Sequence, residues 1–407
     1  MNILLINKFF WKKGGSETVF FGEKELLEGN GHNVVPFSMH SDQNIDSEYS
    51  KYFVSEVSYD GQGLAGKLKA ASKIIYSFEA KKNIENLLGD IPVDIAHFHI
   101  FQHQISPSVF GPLRKRKIPL VLTLHDLKPI CPNYQMYTQG DVCEKCKGGK
   151  FYNCFLNKCT KNSSVKSFIN VVEMYFHYFM KYYQNVDKFI AVSNFHRNKM
   201  IEFGFPAEQI AYIPNFIDIE NFPYSTVDKG YAIYFGRLSE EKGLETLLSA
   251  AQLCPDIPLV IVGSGPLEKE LHDYTITNNI SNVEFVGYKS GKDLTDLLSN
   301  ASFSILPSRV YENCPMAVLE SLAIGKPVIG ADIGGIPELI SEDKDGYIYK
   351  NDDVQALVEK MNLLWNSPEK RLEMGKFGRE KIARDFTKEK HYEALMSVYD
   401  DLTTAGA

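Results

Sequence analysis

No apolar run in this sequence approaches the roughly 20 residues that a membrane-spanning helix needs. Nor does a basic segment precede its first apolar stretch. The opening residues, MNILLINKFFWKKGG, carry their lysines after the apolar run, the reverse of a secretory signal, and they read as a first buried strand. Positive charge is in short supply, with 44 Lys and Arg against 51 Asp and Glu and a formal net charge of −7. That balance argues against nucleic acid as a partner. Cysteine is scarce outside one segment, since only Cys254 and Cys314 lie beyond residues 131–159. The paired-glycine loop at 12–17 is not a Walker loop and lacks the full dinucleotide fingerprint. The composition is that of a soluble globular protein, with 44% hydrophobic residues. The expected location is the cytoplasm, with peripheral contact at the inner face of the plasma membrane as a further expectation.

At 407 residues the chain is too long for one ordinary core. Strand-like apolar runs alternate with helical patterns, which predicts an α/β fold with parallel sheets. In the first half, strands are expected at Asn2–Asn7, Asn33–Phe37, Val93–Phe98, Pro119–Leu124 and Lys188–Val192, with helical stretches including Lys67–Leu88 and Val165–Tyr183. The pattern restarts at Tyr231–Phe235 and continues through Leu259–Val262, Val283–Val286, Phe303–Leu306, Val328–Gly330 and Tyr347–Tyr349. This predicts two doubly wound, Rossmann-like domains facing a cleft. The first spans 1–214 with a cysteine-rich insert at 127–164. A linker at 215–229 leads to a second domain at 230–385, and a helix at 386–407 packs back on the first.

The most informative stretch is SRVYENCPMAVLESLAIGKPV, residues 308–328. Pro315 suits a first helical turn and Gly325 a helix exit. Glu312 lies on the loop and Glu320 inside an otherwise apolar helix, where an ionised carboxylate is costly without hydrogen-bond donors. Ligand hydroxyls would supply them. Amides around Cys314, Met316 and Ala317 open the same helix and favour an anionic group. Carboxylates for hydroxyls and amides for phosphate are what a nucleotide sugar needs; a surface carboxylate and a buried one satisfied by protein are the plainer alternative.

Other strand ends offer complementary groups. Arg237 and Lys242 bracket the loop after the second domain's first strand, where two cations can converge on a diphosphate. Gly263 and Gly265 end the next strand, and Tyr288 the one after, where an aromatic edge could hold a base. In the first domain Gly15 lies in a paired-glycine loop, and His125 closes a strand beside Asp126. His97, His99 and His103 lie near it in sequence, so a satisfied core histidine is an equal reading. Asp343-Lys-Asp345 has the D-x-D spacing of metal-dependent sugar transferases but sits in a polar turn and is assigned no metal. Cys131, Cys143, Cys146, Cys154 and Cys159 offer five thiols for the four places of a structural zinc. Either one is spare or the cluster holds no metal. The helical stretches Lys67–Leu88 and Lys166–Tyr183 mix lysine with aromatics, as core helices do and as membrane-surface helices also do.

Taken together, Glu312-x7-Glu320 within ENCPMAVLESLAIGKPVI, GRLSEEKG at 236–243, VGSGP at 262–266, EFVGY at 284–288, PNFID at 214–218 and GGSE at 14–17 resemble family 4 retaining glycosyltransferases of the two-Rossmann-domain (GT-B) type. The cysteine-rich insert resembles one of a bacterial surface-polysaccharide subgroup. The resemblance implies that Arg237 and Lys242 bind the donor diphosphate, Glu320 the ribose hydroxyls and Glu312 the transferred sugar. Amides from Asn313 through Cys314 and Pro315 to Met316 would line sugar and phosphate, Gly15 the phosphate, and His125 would sit beside the donor sugar. It implies a UDP- or GDP-sugar donor, a lipid-linked oligosaccharide acceptor in capsule or O-antigen assembly, and no cofactor for catalysis. A sugar-nucleotide epimerase of the same fold, and a non-catalytic nucleotide-sugar-binding or zinc-stabilised interaction protein, are the rival readings.

Overall fold

The computed structural model describes residues 1–57 and 72–404. The chain forms two compact units, one of Met1–Met136, Glu144–Ile213 and His391–Ala407, the other of Tyr137–Cys143 and Pro214–Lys390. Each is built on a six-stranded parallel sheet, as the unbroken Val, Ile, Leu and Phe content of the strands requires of sheets covered on both faces.

In the first unit the strands are β1 (Asn2–Ile6), β2 (Asn33–Phe37), β3 (Ile95–Phe98), β4 (Leu120–Leu124), β7 (Lys188–Ala191) and β8 (Ile210–Tyr212), ordered β2-β1-β3-β4-β7-β8. β5 (Tyr137–Thr138) and β6 (Asp141–Val142) form a short antiparallel hairpin that belongs to the second unit, although the sequence placed it in the insert of the first domain. The core of the first unit brings Ile3, Leu5, Phe20 and Ile95 together with Leu395, Val398 and Tyr399 of the helix Lys388–Thr404. Of the helical stretch expected over Lys67–Leu88, residues 67–71 lie outside the described residues, and a helix covers Phe78–Asp90.

The second unit orders β11 (Val283–Gly287), β10 (Leu259–Val262), β9 (Ala232–Phe235), β12 (Phe303–Leu306), β13 (Val328–Ala331) and β14 (Gly346–Tyr349) as β11-β10-β9-β12-β13-β14. The strand order reverses between β9 and β12 here and between β1 and β3 in the first unit. Loops leaving neighbouring strands at such a point diverge and open a crevice at the carboxyl ends.

Residues 215–229, expected as a linker, are laced to the second unit instead. The Ser225 and Lys229 amides donate to the Ile324 and Asn300 carbonyls, and Asp228 pairs with Arg371 at 2.7 Å. The stretch looks like a linker in sequence because its partners lie 70 or more residues away.

Candidate active site

In the second unit the loops after β9 and β12 meet at the point of strand reversal. Lys242 Nζ lies 2.5 Å from Glu312 Oε1, and the Ser308 hydroxyl donates to the same oxygen at 2.6 Å. The Arg309 amide donates to the Glu241 carbonyl at 2.9 Å, tying the two loops together through backbone. A third loop, after β13, clamps Glu312 from behind. The Gly335 amide donates to the Glu312 carbonyl at 2.8 Å. Gly334 adopts φ +61, and a Cβ there would stand 2.4 Å from that carbonyl oxygen, so only glycine fits. Ser308 and Gly334 were not singled out from the sequence; the Gly-Gly pair leaving an apolar strand was the available signal.

Gly263 and Gly265 have a packing role. A Cβ on either would meet the Gly236 or Leu238 carbonyl oxygen at 1.9 or 2.2 Å. Their absent side chains let the loop after β10 press against the loop carrying Arg237. Arg237 itself is exposed and has no ion pair among the described residues. Tyr288 is likewise exposed, at the end of β11.

Pro315 caps the helix Met316–Ile324, and Gly325 ends it in the left-handed conformation, as the sequence predicted. The Val318 amide donates to the Pro315 carbonyl at 3.1 Å, and the Met316 and Ala317 amides ahead of it have no carbonyl of their own helix to reach. Asn313 and Met316 flank the turn half-buried, whereas the Cys314 side chain is buried and its thiol pKa pushed up to about 12 by that burial. The Cys314 carbonyl accepts from Asn215 Nδ2 at 2.9 Å, which fixes the loop ahead of the helix. Glu320 is half-buried, with no hydrogen bond or ion pair among the described residues, and burial alone pushes its pKa up to about 7. A carboxylate so placed can accept from hydroxyls that reach it.

In the first unit Gly15 opens the helix Gly15–Gly29 and is exposed. His125 stands at the carboxyl end of β4, half-buried, with Nε2 2.8 Å from His99 Nδ1. Burial, then the neighbouring His99, lowers the His125 pKa to about 3, so the ring is neutral. Lys8, just beyond β1, has its pKa lowered by burial and interacts with the Asp126 and Glu17 carboxylates, which ties the Gly15 loop electrostatically to the end of β4.

Four of the five clustered cysteines belong to the first unit, and Cys143 counts with the second. Cys146 and Cys154 share an apolar cluster with Phe151, Val171 and Met174, with Cys159 packed against it. Cys154 is hydrogen-bonded to Cys159, which with burial raises its pKa; burial lifts that of Cys131 to about 11. None is in a disulfide. No three of these sulfurs lie within 4.8 Å of one another, so a tetrahedral metal would have to draw them inward.

The model of Glycosyltransferase Family 4 matches residues 13–221, half of the chain. The chain belongs to this family. The model of glycosyl transferases group 1 matches residues 218–381, so the two cover both units. The transferase is 26% identical over 365 residues to the uncharacterized glycosyltransferase MJ1178 of Methanocaldococcus jannaschii, covering 89% of this chain and 88% of that protein. It is 33% identical over 179 residues to the O-antigen chain mannosyltransferase C of Escherichia coli, covering 44% and 48%. The structure of Anabaena Alr3699/HepE in complex with UDP matches 98% of this chain and all of that one, with a TM-score of 0.69 at 16% identity. The transferase therefore has the GT-B fold of two Rossmann-like domains.

Proposed function

We propose that this glycosyltransferase moves a hexose-type sugar from a UDP- or GDP-sugar to an acceptor hydroxyl with retention at the anomeric carbon and without a metal. The observation that carries this reading is Glu320, a half-buried carboxylate without a hydrogen-bond or ion-pair partner among the described residues, on the helix whose first amides favour an anion. Ribose hydroxyls satisfy the carboxylate, and phosphate takes the amides together with Arg237 and Lys242. Glu312 holds the transferred sugar. From the first unit we assign Gly15 to the donor phosphate and His125 to the donor sugar. None of the residues assigned to the sugar is a well-placed nucleophile. Departure of the diphosphate and arrival of the acceptor therefore share one face of an oxocarbenium-like centre, and the leaving phosphate takes the acceptor's proton.

The test is a panel of UDP- and GDP-sugars in the presence of EDTA, scored for saturable binding and slow hydrolysis. Selective hydrolysis that persists in EDTA and disappears in Arg237→Ala is the expected result. Turnover only with added divalent metal would refute metal independence, and donor interconversion without acceptor would make the enzyme an epimerase. A trapped glycosyl-enzyme adduct would overturn the same-face mechanism.

We assign the acceptor to lipid-linked glycans of cell-surface polysaccharide assembly; the Escherichia coli relative is named an O-antigen chain mannosyltransferase. No helix among the described residues is long and apolar enough to cross a membrane. The helix Ser164–Phe179 instead exposes Val165, Phe168, Val172 and Phe179, and the Phe168 ring packs 5.9 Å from exposed Phe155. Exposed Lys158, Lys161, Lys166 and Lys181 lie along the same segment. Apolar side chains bordered by lysine suit the surface of an anionic bilayer. Cosedimentation with anionic vesicles, lost in Phe168→Ser/Phe179→Ser, is expected; equal binding to neutral vesicles would exclude the electrostatic part.

A further inference from the structure

The buried carboxylate of Glu23 lies in the first unit on the helix Gly15–Gly29, 1% exposed, and takes part in none of the chemistry above. Burial disfavours its charge, yet His99, His391 and His97 hold its pKa well below the ordinary range, so it is ionised. One oxygen, Oε1, faces His391 Nε2 at 3.1 Å. The other, Oε2, lies 3.2 Å from His99 Nε2 and 3.5 Å from His97 Nδ1. His97 has other partners: Nδ1 is 2.6 Å from the Tyr399 hydroxyl and Nε2 2.7 Å from that of Thr123. This is a hydrogen-bond network rather than a cation cage. His99 Nε2 and Glu23 Oε2 face one another at 3.2 Å without good hydrogen-bond alignment, and neither has a hydrogen-bond partner among the described residues. Buried polar atoms of this kind must satisfy one another. The other nitrogen of His99 reaches His125 Nε2 at 2.8 Å, with the two rings stacked at 5.1 Å.

We infer that Glu23 and His99 are positioning residues that fix which nitrogen of His125 carries its proton. An ionised carboxylate only accepts, so His99 must present Nε2–H to it. With a single ring proton placed at Nε2, His99 has a bare Nδ1, which can only accept, and His125 presents Nε2–H in turn. That leaves the Nδ1 lone pair of His125 as the half-exposed end of the relay, an acceptor for a sugar hydroxyl. The catalytic meaning rests on the reading of His125 as the residue beside the donor sugar; the tautomer does not. Burial keeps the His125 ring neutral across the pH range in which histidine ordinarily titrates; of the groups facing it, His99, His97 and His196 act in the same direction and Glu23 opposes them.

The experiment uses the full chain with 15N-labelled histidine rings, His125 being assigned by its loss in His125→Gln. Between pH 6 and 8 the expected spectrum shows His125 protonated at Nε2 and bare at Nδ1. In Glu23→Gln the preference is lost. The turnover number falls about 10- to 100-fold, as when an orienting partner is removed from a functional histidine, with the donor KM moved less than about threefold. In a His125→Gln background, Glu23→Gln adds no further loss of rate. If Glu23→Gln does not fold, His99→Gln interrupts the same chain one step later with the same two readouts. A His125 protonated at Nδ1, or a tautomer indifferent to both substitutions, overturns the relay. Full transfer activity in His125→Gln overturns the placement of His125 beside the sugar while the tautomer still decides the relay by itself.

Discussion

Lys242 and Glu312, 70 residues apart in sequence, form an ion pair at 2.5 Å where the strand order of the second unit reverses. In the proposed reaction these two residues serve opposite ends of the donor, the cation its diphosphate and the carboxylate its sugar. On that proposal, their contact positions both side chains for the donor. Binding then exchanges one anionic partner of Lys242 for another, so that little new ordering is required.

Lys242→Ala is expected to lower donor turnover about 100- to 1,000-fold, the range for removing one preorganised charge-stabilising donor. Because the pair is partly exposed, its loss should cost only about 1 kcal/mol of stability. Initial rates and thermal melts of the same preparation separate the two effects. A large fall in melting temperature with unchanged turnover would contradict the assignment.

Glu320 makes stability depend on pH. Its pKa rises from an ordinary 4.5 to about 7 on folding, so the folded state binds the proton more tightly than the unfolded chain. The resulting contribution to stability is fully present below about pH 4.5 and is lost as pH rises through 7. Relative to wild type, Glu320→Gln should therefore be more stable at pH 8 by on the order of 2 kcal/mol and nearly equal in stability at pH 4.5. The same variant should bind nucleotide-sugar more weakly. Urea unfolding at the two pH values, with and without UDP-sugar, checks both signs.

Much of this arrangement is legible in the sequence, and the exceptions have a common cause. β2, β10 and β12 fall at the boundaries that their apolar runs predict, because a strand buried on both faces writes its burial into every residue. The helix from Pro315 to Gly325 is equally plain, since both ends are set by local backbone chemistry. What local pattern cannot show is which distant loop a residue meets. The clamp of Gly334 on Glu312, the grip of Asn215 on Cys314 and the chain from Glu23 to His125 all join segments whose own composition is unremarkable for a loop or a core. The polar stretch 215–229 misleads for the same reason.

Substituting Gly334 tests the clamp. Gly334→Ala must place a Cβ against the Glu312 backbone at a left-handed φ. It should cost about 2 kcal/mol or more and lower turnover by displacing Glu312. Gly31→Ala, also at positive φ but with open space around its Cβ, should cost backbone strain alone and leave transfer unchanged. Comparable activity losses in the two variants would refute a specific clamp.

Lys128 and Glu173 form a second buried pair, both side chains 1% exposed, with Nζ 2.7 Å from Oε2. Glu173→Ala leaves the buried Lys128 Nζ with the Pro132 carbonyl and His103 as its hydrogen-bond partners among the described residues. The expected loss is about 3–5 kcal/mol, read by urea unfolding. Lys128→Met/Glu173→Leu should recover most of it.

We propose a structural zinc on four of the cysteines at 131–159, those of the first unit being the natural set. One zinc per chain by elemental analysis, with the insert unfolding first in chelator, is the expected outcome. Metal-free protein of unchanged stability would leave the thiols as core side chains.

The return of residues 391–404 to the core of the first unit has a consequence for how the protein is made. Glu23 meets His391 across 368 positions, and Ile3 and Leu5 share a core with Leu395 and Tyr399. At ribosomal rates of about 5–20 residues per second, Glu23 waits about 20–70 s for its partner. During that interval the second unit, made without a break from Pro214 to Lys390 apart from its short hairpin, can complete its sheet while the first, though synthesised earlier, still exposes part of its apolar core. Of the two units, the one whose synthesis starts earlier is thus the one that finishes folding later, and the nascent chain depends over that period on whatever shields unfinished apolar surface in the cell.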